Sequence, residues 1–274
     1  MHYSINVKGR LLELDRPVVM GILNVTDDSF YAGSRALAPQ EIAGRVKAML
    51  DAGAGIIDVG ACSTRPGCVY ATESEELRRL HFALDIIDKE VPEAVVSVDT
   101  FRAVLVEACA KNHNVSIIND VSGYEWDAAM LGAVVSASLP YILTHSSGPA
   151  GEGCGVSLQQ VLVSLAAKMW ELRQAGVADI IIDPGFGFGK SVEENYRMLA
   201  SLQDFSMFEA PLIVGVSRKS MITKLLGIKP EEALAATMAL NTVALEKGAS
   251  ILRVHDVREA VQAVAIVEAL KGNF

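Results

Sequence analysis

Eight short apolar runs rich in β-branched residues recur along the chain, separated by segments with helical periodicity. The runs are continuous rather than alternating, which is typical of strands buried on both faces of a parallel sheet. The predicted strands cover residues 18–23, 56–59, 95–98, 115–118, 141–143, 180–182, 212–214 and 251–254. Helix-like stretches between and after them include residues 39–52, 73–90, 158–175, 231–247 and 257–270.

Eight strand–helix units at a spacing of roughly 30 residues fit a closed barrel of about 250 residues, and the chain has 274. An open doubly wound sheet is the alternative, but it usually carries Gly-x-Gly-x-x-Gly after its first strand. The first run here ends in Gly-Ile-Leu-Asn at 21–24, without that loop. We therefore predict an α/β chain with a (β/α)8 TIM barrel as a single domain over residues 1–274.

The opening segment, residues 1–16, precedes the first barrel strand. Its residues 4–14 have the pattern of a β-hairpin that turns at Lys8 and Gly9. We expect this hairpin to close the bottom of the barrel.

Composition excludes several functions. The formal net charge of -9 argues against general nucleic-acid binding, which needs a basic face to neutralise phosphates. No apolar run reaches the roughly 18–20 residues that span a bilayer, so no membrane association is predicted. The cysteines form no Cys-x-x-Cys pair, which argues against zinc and favours a reducing cytoplasm; they are Cys62, Cys68, Cys109 and Cys154.

Polar residues follow the predicted strands at the ends that share one face of a parallel barrel, the face that carries active sites. Among them are Asp99, Asn119, Asp183 and Lys219. Two carboxylates and an amide match a heterocycle whose guanidine-like edge presents parallel N–H donors. Lys219 would offset the acidic charge and donate to a ring carbonyl or nitrogen. For either aspartate alone, capping of the following helix is the alternative.

A second set of residues is suited to an anion. Asn24, Arg65, Arg253 and His255 follow the first, second and eighth runs, which adjoin once the barrel closes. Arginine offers forked donors to phosphate oxygens, and Asn24 could hold a hydrated Mg2+. The alternatives are a backbone contact for Asn24, a solvated loop charge for Arg65, and a cap or packing role for His255.

The run Asp-Pro-Gly-Phe-Gly-Phe-Gly-Lys at 183–190 is rich in glycine but lacks the spacing of a Walker loop. Its glycines favour a loop whose backbone approaches a ligand closely. Phe188 would form a flat apolar wall for an aromatic substrate, with core packing as the alternative.

Seven motifs in this order give the chain a resemblance to the dihydropteroate synthases, enzymes of the pterin-binding barrel superfamily. The motifs are GILNVTDDSF at 21–30, STRPG at 63–67, SVDT at 97–100, INDVSG at 118–123, DPGFGFGK at 183–190, SRKS at 217–220 and RVHD at 253–256. The resemblance extends from about residue 18 to about residue 270.

The resemblance implies that 4-aminobenzoate attacks 6-hydroxymethyl-7,8-dihydropterin diphosphate to give 7,8-dihydropteroate and diphosphate. It implies a pterin site of Asp99, Asn119, Asp183 and Lys219, and a diphosphate site of Asn24 with Mg2+, Arg253 and His255. It implies a 4-aminobenzoate site of Thr64, Arg65, Pro66, Phe188, Lys219 and Ser220. Asp99, Asp183, Lys219, Arg253, His255 and Arg65 would form the catalytic set. The family also implies a homodimer and competition by sulfonamides.

The chain departs from the family pattern at a few positions. Asp27 stands at a usual proline and Ala32 at a usual aspartate in the first loop, Cys62 replaces a common glutamate, and Thr144 and Ser146 flank His145 where methionine is usual. None removes a predicted pterin or diphosphate ligand, so we expect an active enzyme. The alternatives are a methyl-folate:corrinoid methyltransferase of the same superfamily and a catalytically silent pterin-binding paralogue.

Overall fold

Eight parallel strands form the barrel in the computed structural model, which describes residues 3–26, 38–63, 68–148 and 155–272. The barrel strands are β3 Val18–Asn24, β4 Ile56–Gly60, β5 Val96–Asp99, β6 Val115–Asp120, β7 Tyr141–Thr144, β8 Ile180–Asp183, β9 Ile213–Val214 and β10 Ile251–Val254. They are ordered β8-β7-β6-β5-β4-β3-β10-β9. A bridge between Ile182 and Leu212 joins the two ends of this order. The predicted TIM barrel is confirmed.

Helices alternate with the strands, as the periodicity predicted. They are α1 Ala38–Asp51, α2 Glu73–Glu90, α3 Ala103–Asn112, α4 Met130–Ala137, α5 Leu158–Gln174, α6 Val192–Ala200, α7 Ser220–Leu226, α8 Leu234–Glu246 and α9 Val257–Leu270. In the described ranges, none of these helices is both long and apolar enough to cross a bilayer.

Local sequence explains where several helices begin. Ser157 and Ser191 precede α5 and α6, and each accepts a backbone N–H in a capping box completed by Gln160 and Glu194. The predicted start of α8 at residue 231 is three residues too early. A separate 3-10 turn, Pro230–Glu232, occupies that position, and the α-helix begins only at Leu234.

The predicted hairpin is confirmed as β1 Ser4–Val7 paired antiparallel with β2 Arg10–Glu13. Lys8 and Gly9 take φ values of 51° and 82°, the left-handed backbone that tight hairpin turns require. Two bonds attach the hairpin to residues that precede β6 and β8. The Lys8 ammonium donates to the His113 carbonyl at 3.0 Å, and the Asn6 N–H donates to an Asp179 carboxylate oxygen at 2.9 Å.

An apolar layer fills the bottom of the barrel, where the hairpin packs. It contains Met20, Ile56, Val95, Ile117, Ile142, Ile181, Ile213 and Ile251 from the barrel, with Ile5, Val7 and Leu14 from the N-terminal segment. Successive side chains of a strand alternate between its faces. The residues two positions after Ile56, Ile117, Ile181 and Ile251 therefore also face inward, and all four are polar. The apolar layer thus forms the floor beneath a polar site.

We expect Ile5→Ala to lower the free energy of unfolding by about 2–5 kcal/mol, because it deletes a side chain that is 1% exposed in this floor. Leu11→Ala in the same hairpin is the control, since Leu11 is 66% exposed and should change stability by no more than about 0.5 kcal/mol. Urea denaturation measures both. Equal effects of the two variants would show that the hairpin does not close the core.

Candidate active site

A partly buried guanidinium organises the interior of the barrel. Arg253 on β10 donates from Nε to Asp58 Oδ2 and from Nη2 to Asp99 Oδ2, each at 2.6 Å. Asn119 on β6 donates from Nδ2 to the same Asp58 oxygen at 3.1 Å. Four strands thereby contribute to one hydrogen-bonded cluster above the apolar floor.

Asp58 was not among the predicted site residues. It lies inside an apolar run, Ile-Ile-Asp-Val at 56–59, and was assigned to the strand. The available signal was its position two residues after Ile56, on the inward face. The side chain is fully buried, and its Oδ1 has no hydrogen-bond partner among the described residues. A buried acceptor of this kind is suited to a donor from water or ligand.

The raised pKa values of Asp99 and Asp183 favour a ligand that carries hydrogen-bond donors. Burial raises the pKa of Asp99 to about 7, and the neighbouring carboxylate of Asp58 adds to this rise while Arg253 opposes it. Burial also raises the pKa of Asp183, which Lys219 and the Gly185 N–H oppose. That N–H donates to Asp183 Oδ1 at 2.7 Å. Further N–H donors would stabilise the charged forms of both aspartates.

Lys219 contacts the glycine-rich loop. Its ammonium donates to the Phe186 carbonyl at 2.5 Å and stands 4.8 Å from the centre of the Phe188 ring. Burial lowers its pKa to about 8, against the opposing effect of Asp183. Ser220 follows as the first residue of α7, and it and Phe188 are half-buried. The structure therefore brings together a cation, an aromatic face and a hydroxyl residue.

Two of the predicted anion residues, Asn24 and His255, lie at the carboxyl ends of barrel strands. His255, just past β10, has its Nδ1 3.0 Å from Ser217 Oγ, and its backbone N–H donates to that hydroxyl at 3.3 Å. Asn24 ends β3. A methyl group built on Gly60 would stand 3.6 Å from both Asn24 Oδ1 and Asp99 Oδ2, so the two oxygens flank the same glycine.

Some of the predicted residues cannot be placed. Thr64, Arg65 and Pro66 lie outside the described residues, as do Asp27 and Ala32 of the first loop. Their predicted contributions to the 4-aminobenzoate site and the first loop stay predictions.

His145 follows β7, beside the glycine-rich loop. Burial lowers its pKa to about 3, and the ammonium groups of Lys190 and Lys168 lower it further. This imidazole is therefore neutral at physiological pH and adds no charge to the site.

The glycine-rich loop packs against the segment after β7. Gly185 has a φ of 71°, and a methyl group there would stand 1.9 Å from the His145 carbonyl oxygen. Gly189 has a φ of 63°, and a methyl group would stand 2.6 Å from the Ser147 carbonyl carbon. Both positions need left-handed backbone and close approach, which together require glycine.

The family model described as pterin binding enzyme matches residues 20–255. The dihydropteroate synthase of Escherichia coli K12 is 39% identical over 272 residues, which cover 96% of this chain and 94% of that protein. This chain therefore belongs to the pterin-binding enzymes and, among them, to the dihydropteroate synthase family.

Solved structures give the same result. The Xanthomonas albilineans dihydropteroate synthase with 4-aminobenzoic acid has a TM-score of 0.89 at 35% identity, covering 99% of each chain. The Clostridium difficile dihydropteroate synthase in the presence of pteroic acid has a TM-score of 0.87 at 33% identity, covering 93% of this chain and 97% of that one.

We expect Gly185→Ala to lower the free energy of unfolding by about 2–5 kcal/mol, the sum of a left-handed backbone penalty and a steric overlap. Gly227→Ala is the matched control, because Gly227 has a φ of 66° with no atom within 4 Å of the added methyl. That variant should lose only about 1–2 kcal/mol. Thermal or urea unfolding gives both values, and equal losses would contradict the close approach at Gly185.

Proposed function

We propose that this chain catalyses the condensation of 6-hydroxymethyl-7,8-dihydropterin diphosphate with 4-aminobenzoate, releasing diphosphate and 7,8-dihydropteroate. The observation that carries the proposal is the cluster in which Arg253 joins Asp58 and Asp99 beside Asn119. It combines carboxylates for a donor-rich heterocycle with a guanidinium for an anionic leaving group.

The pterin ring would bind deep in the barrel, to Asp99, Asn119, Asp183 and Lys219. Asp183 is suited to a guanidine-like edge because a carboxylate accepts two parallel N–H bonds. Asn119 both donates and accepts. Lys219 would donate to a ring carbonyl or nitrogen. The convergence of these side chains on one interior supports this assignment.

The diphosphate would bind at the mouth, to Asn24, Arg253 and His255, with Mg2+. The donor set fits this ion, because Mg2+ prefers oxygen ligands and uses few from the protein when phosphate oxygens are present. Asn24 Oδ1 would hold it, on the side of Gly60 where Asp99 also lies. When bound, the metal would neutralise charge on the phosphate oxygens.

The 4-aminobenzoate would lie nearer the surface, against the ring of Phe188 and beside Lys219 and Ser220. Thr64, Arg65 and Pro66 would complete this site. Sulfonamides, which mimic 4-aminobenzoate, would compete for it. The adjacency of the Phe188 ring and the Lys219 ammonium supports an aromatic carboxylate here, since a flat apolar wall and a cation meet.

A dissociative displacement suits these residues. As the C–O bond to diphosphate breaks, the dihydropterin delocalises positive charge, which Asp99 and Asp183 would stabilise. Arg253 and His255 would stabilise the departing diphosphate. The amine of 4-aminobenzoate then attacks the exocyclic methylene and forms the C–N bond. The resulting ammonium is strongly acidic and loses its proton to water, so no dedicated general base is required. A corrinoid methyltransferase would not need the cation and imidazole at the mouth, so that alternative is less well supported.

The decisive experiment is a diphosphate-release assay with both substrates and Mg2+, followed by chromatographic identification of 7,8-dihydropteroate. We expect turnover that requires both substrates and is lost when the metal is chelated. Pterin binding by calorimetry without turnover, in a folded sample, would instead support the silent paralogue.

The remaining proposals concern location and assembly. The spaced cysteines support a location in a reducing cytoplasm.

The family resemblance suggests a homodimer, and we propose that α8 and α9 form the contact between its subunits. Val243, Ile266 and Leu270 on these helices are exposed apolar residues that a partner subunit would cover. Analytical sedimentation tests the assembly.

The pH profile should report on Lys219. Because its pKa is lowered to about 8, the ammonium is charged below that pH and is lost above it. We expect kcat/KM for the pterin substrate to fall above pH 8, approaching about tenfold per pH unit. In Lys219→Arg, which keeps its charge, this falling limb should disappear even if overall activity is lower. An unchanged limb in that variant would assign the titration to another group.

Asp58→Asn should lower kcat/KM for the pterin substrate by about 10- to 100-fold. The substitution removes the charged oxygen to which both Arg253 and Asn119 donate, so neither side chain would stay in its present orientation. Asp51→Asn removes an exposed carboxylate at the end of α1 and serves as the control, with no expected change. Steady-state kinetics on folded variants measures both. Equal kinetics in the two would reject an organising role for Asp58.

A further inference from the structure

Lys190 ends the glycine-rich run and has no part in the proposed reaction. The residue is only 3% exposed. Its Nζ donates to the backbone carbonyls of Gly185 at 2.8 Å, His145 at 3.1 Å and Phe188 at 3.2 Å. An ammonium has three N–H donors, and these three carbonyls all lie within hydrogen-bond distance of it.

The carbonyls that Lys190 binds belong to the loop that shapes the site. Gly185 also donates its N–H to Asp183, and Phe188 presents its ring to Lys219. The Phe186 carbonyl, which accepts the Lys219 ammonium, lies between these two residues in the chain. Lys190 therefore binds the loop on both sides of the atom that positions Lys219.

Backbone and side-chain bonds hold parts of the loop as well, since the Phe188 N–H donates to the Gly185 carbonyl and Asn195 Nδ2 donates to the Lys190 carbonyl, each at 3.2 Å. Gly185, Gly187 and Gly189 all have positive φ and bring no side chain to pack. Phe186 is buried, and the Gly187 N–H donates to Asn195 Oδ1 at 2.7 Å. Without the ammonium, the carbonyls of His145, Gly185 and Phe188 would lose a charged donor in a buried setting, which is costly.

The geometry requires an ammonium rather than another cation. Three carbonyls converge on one nitrogen, which the tetrahedral N–H groups of lysine satisfy. A guanidinium is planar and spreads its donors over a fork. Arginine at this position would therefore keep the charge but not the three bonds.

We propose that Lys190 is a positioning residue for the second substrate. By binding three backbone carbonyls, it would set the position of the Phe188 ring and of the carbonyl that holds Lys219, and thereby the affinity for 4-aminobenzoate. The inference rests on the proposed function. The pterin site is less dependent on Lys190, because three of its four proposed residues, Asp99, Asn119 and Asp183, lie on barrel strands and only Lys219 contacts the loop.

The test is steady-state kinetics of Lys190→Met, which keeps the length of the side chain and removes the ammonium. We expect KM for 4-aminobenzoate to rise about tenfold or more, since small misplacements of binding groups have large effects. KM for the pterin substrate should rise less, by about threefold at most, because only Lys219 of the pterin residues depends on the loop. Lys247→Met is the control, because Lys247 also donates to a backbone carbonyl, Ala200 at 2.8 Å, but precedes β10 at the opposite end of the barrel. It should leave both KM values unchanged.

Lys190→Arg provides a second variant, including the case in which Lys190→Met does not fold. We expect the same selective rise in KM for 4-aminobenzoate, because the charge alone does not restore the three bonds. A lower melting temperature with both KM values unchanged, or an equal rise in both, would overturn the inference while leaving the proposed function intact. Absence of turnover in the unmodified protein would overturn the two together.

Discussion

The partly buried guanidinium of Arg253 is the constraint on which the site depends. A charge removed from water must be paired and hydrogen-bonded, and Arg253 meets this requirement with Asp58 and Asp99. The barrel makes the arrangement possible because it places β10, β3, β4 and β5 side by side. Burial raises the pKa of Asp99, and the Asp58 carboxylate adds to this rise. The cluster therefore favours ligands that carry hydrogen-bond donors.

The lower part of the barrel interior stabilises the fold, whereas the part above it carries the polar groups of the candidate site. Inward-facing residues near the start of the strands are apolar and pack on the hairpin, whereas those two positions later are polar. Ile56 and Asp58 show the change within one strand, as do Ile251 and Arg253. The apolar layer excludes water from below, so the charges above it interact in a medium of low dielectric, where they are stronger than in bulk water.

The sequence was sufficient to predict the strands, most helices and the residues at the strand ends, because these follow from local periodicity and from the shared face of a parallel barrel. It did not reveal Asp58, whose partner Arg253 lies 195 residues away. No local pattern encodes such a contact. Nor did it distinguish the 3-10 turn before Leu234 from the helix itself, since both favour the same residue types.

Two lysines, Lys190 and Lys219, contact the glycine-rich loop in different ways. The glycines were predicted to let backbone approach a ligand, yet at Gly185 the close contact is with the His145 backbone. Lys190 donates to three backbone carbonyls and so has a structural role. Among the residues that the structure describes, Lys219 donates to one carbonyl, that of Phe186, which leaves its other N–H groups for the proposed substrates. Burial lowers the pKa of Lys219, and the nearby charge of Arg253 lowers it further, because both make the charged ammonium less stable.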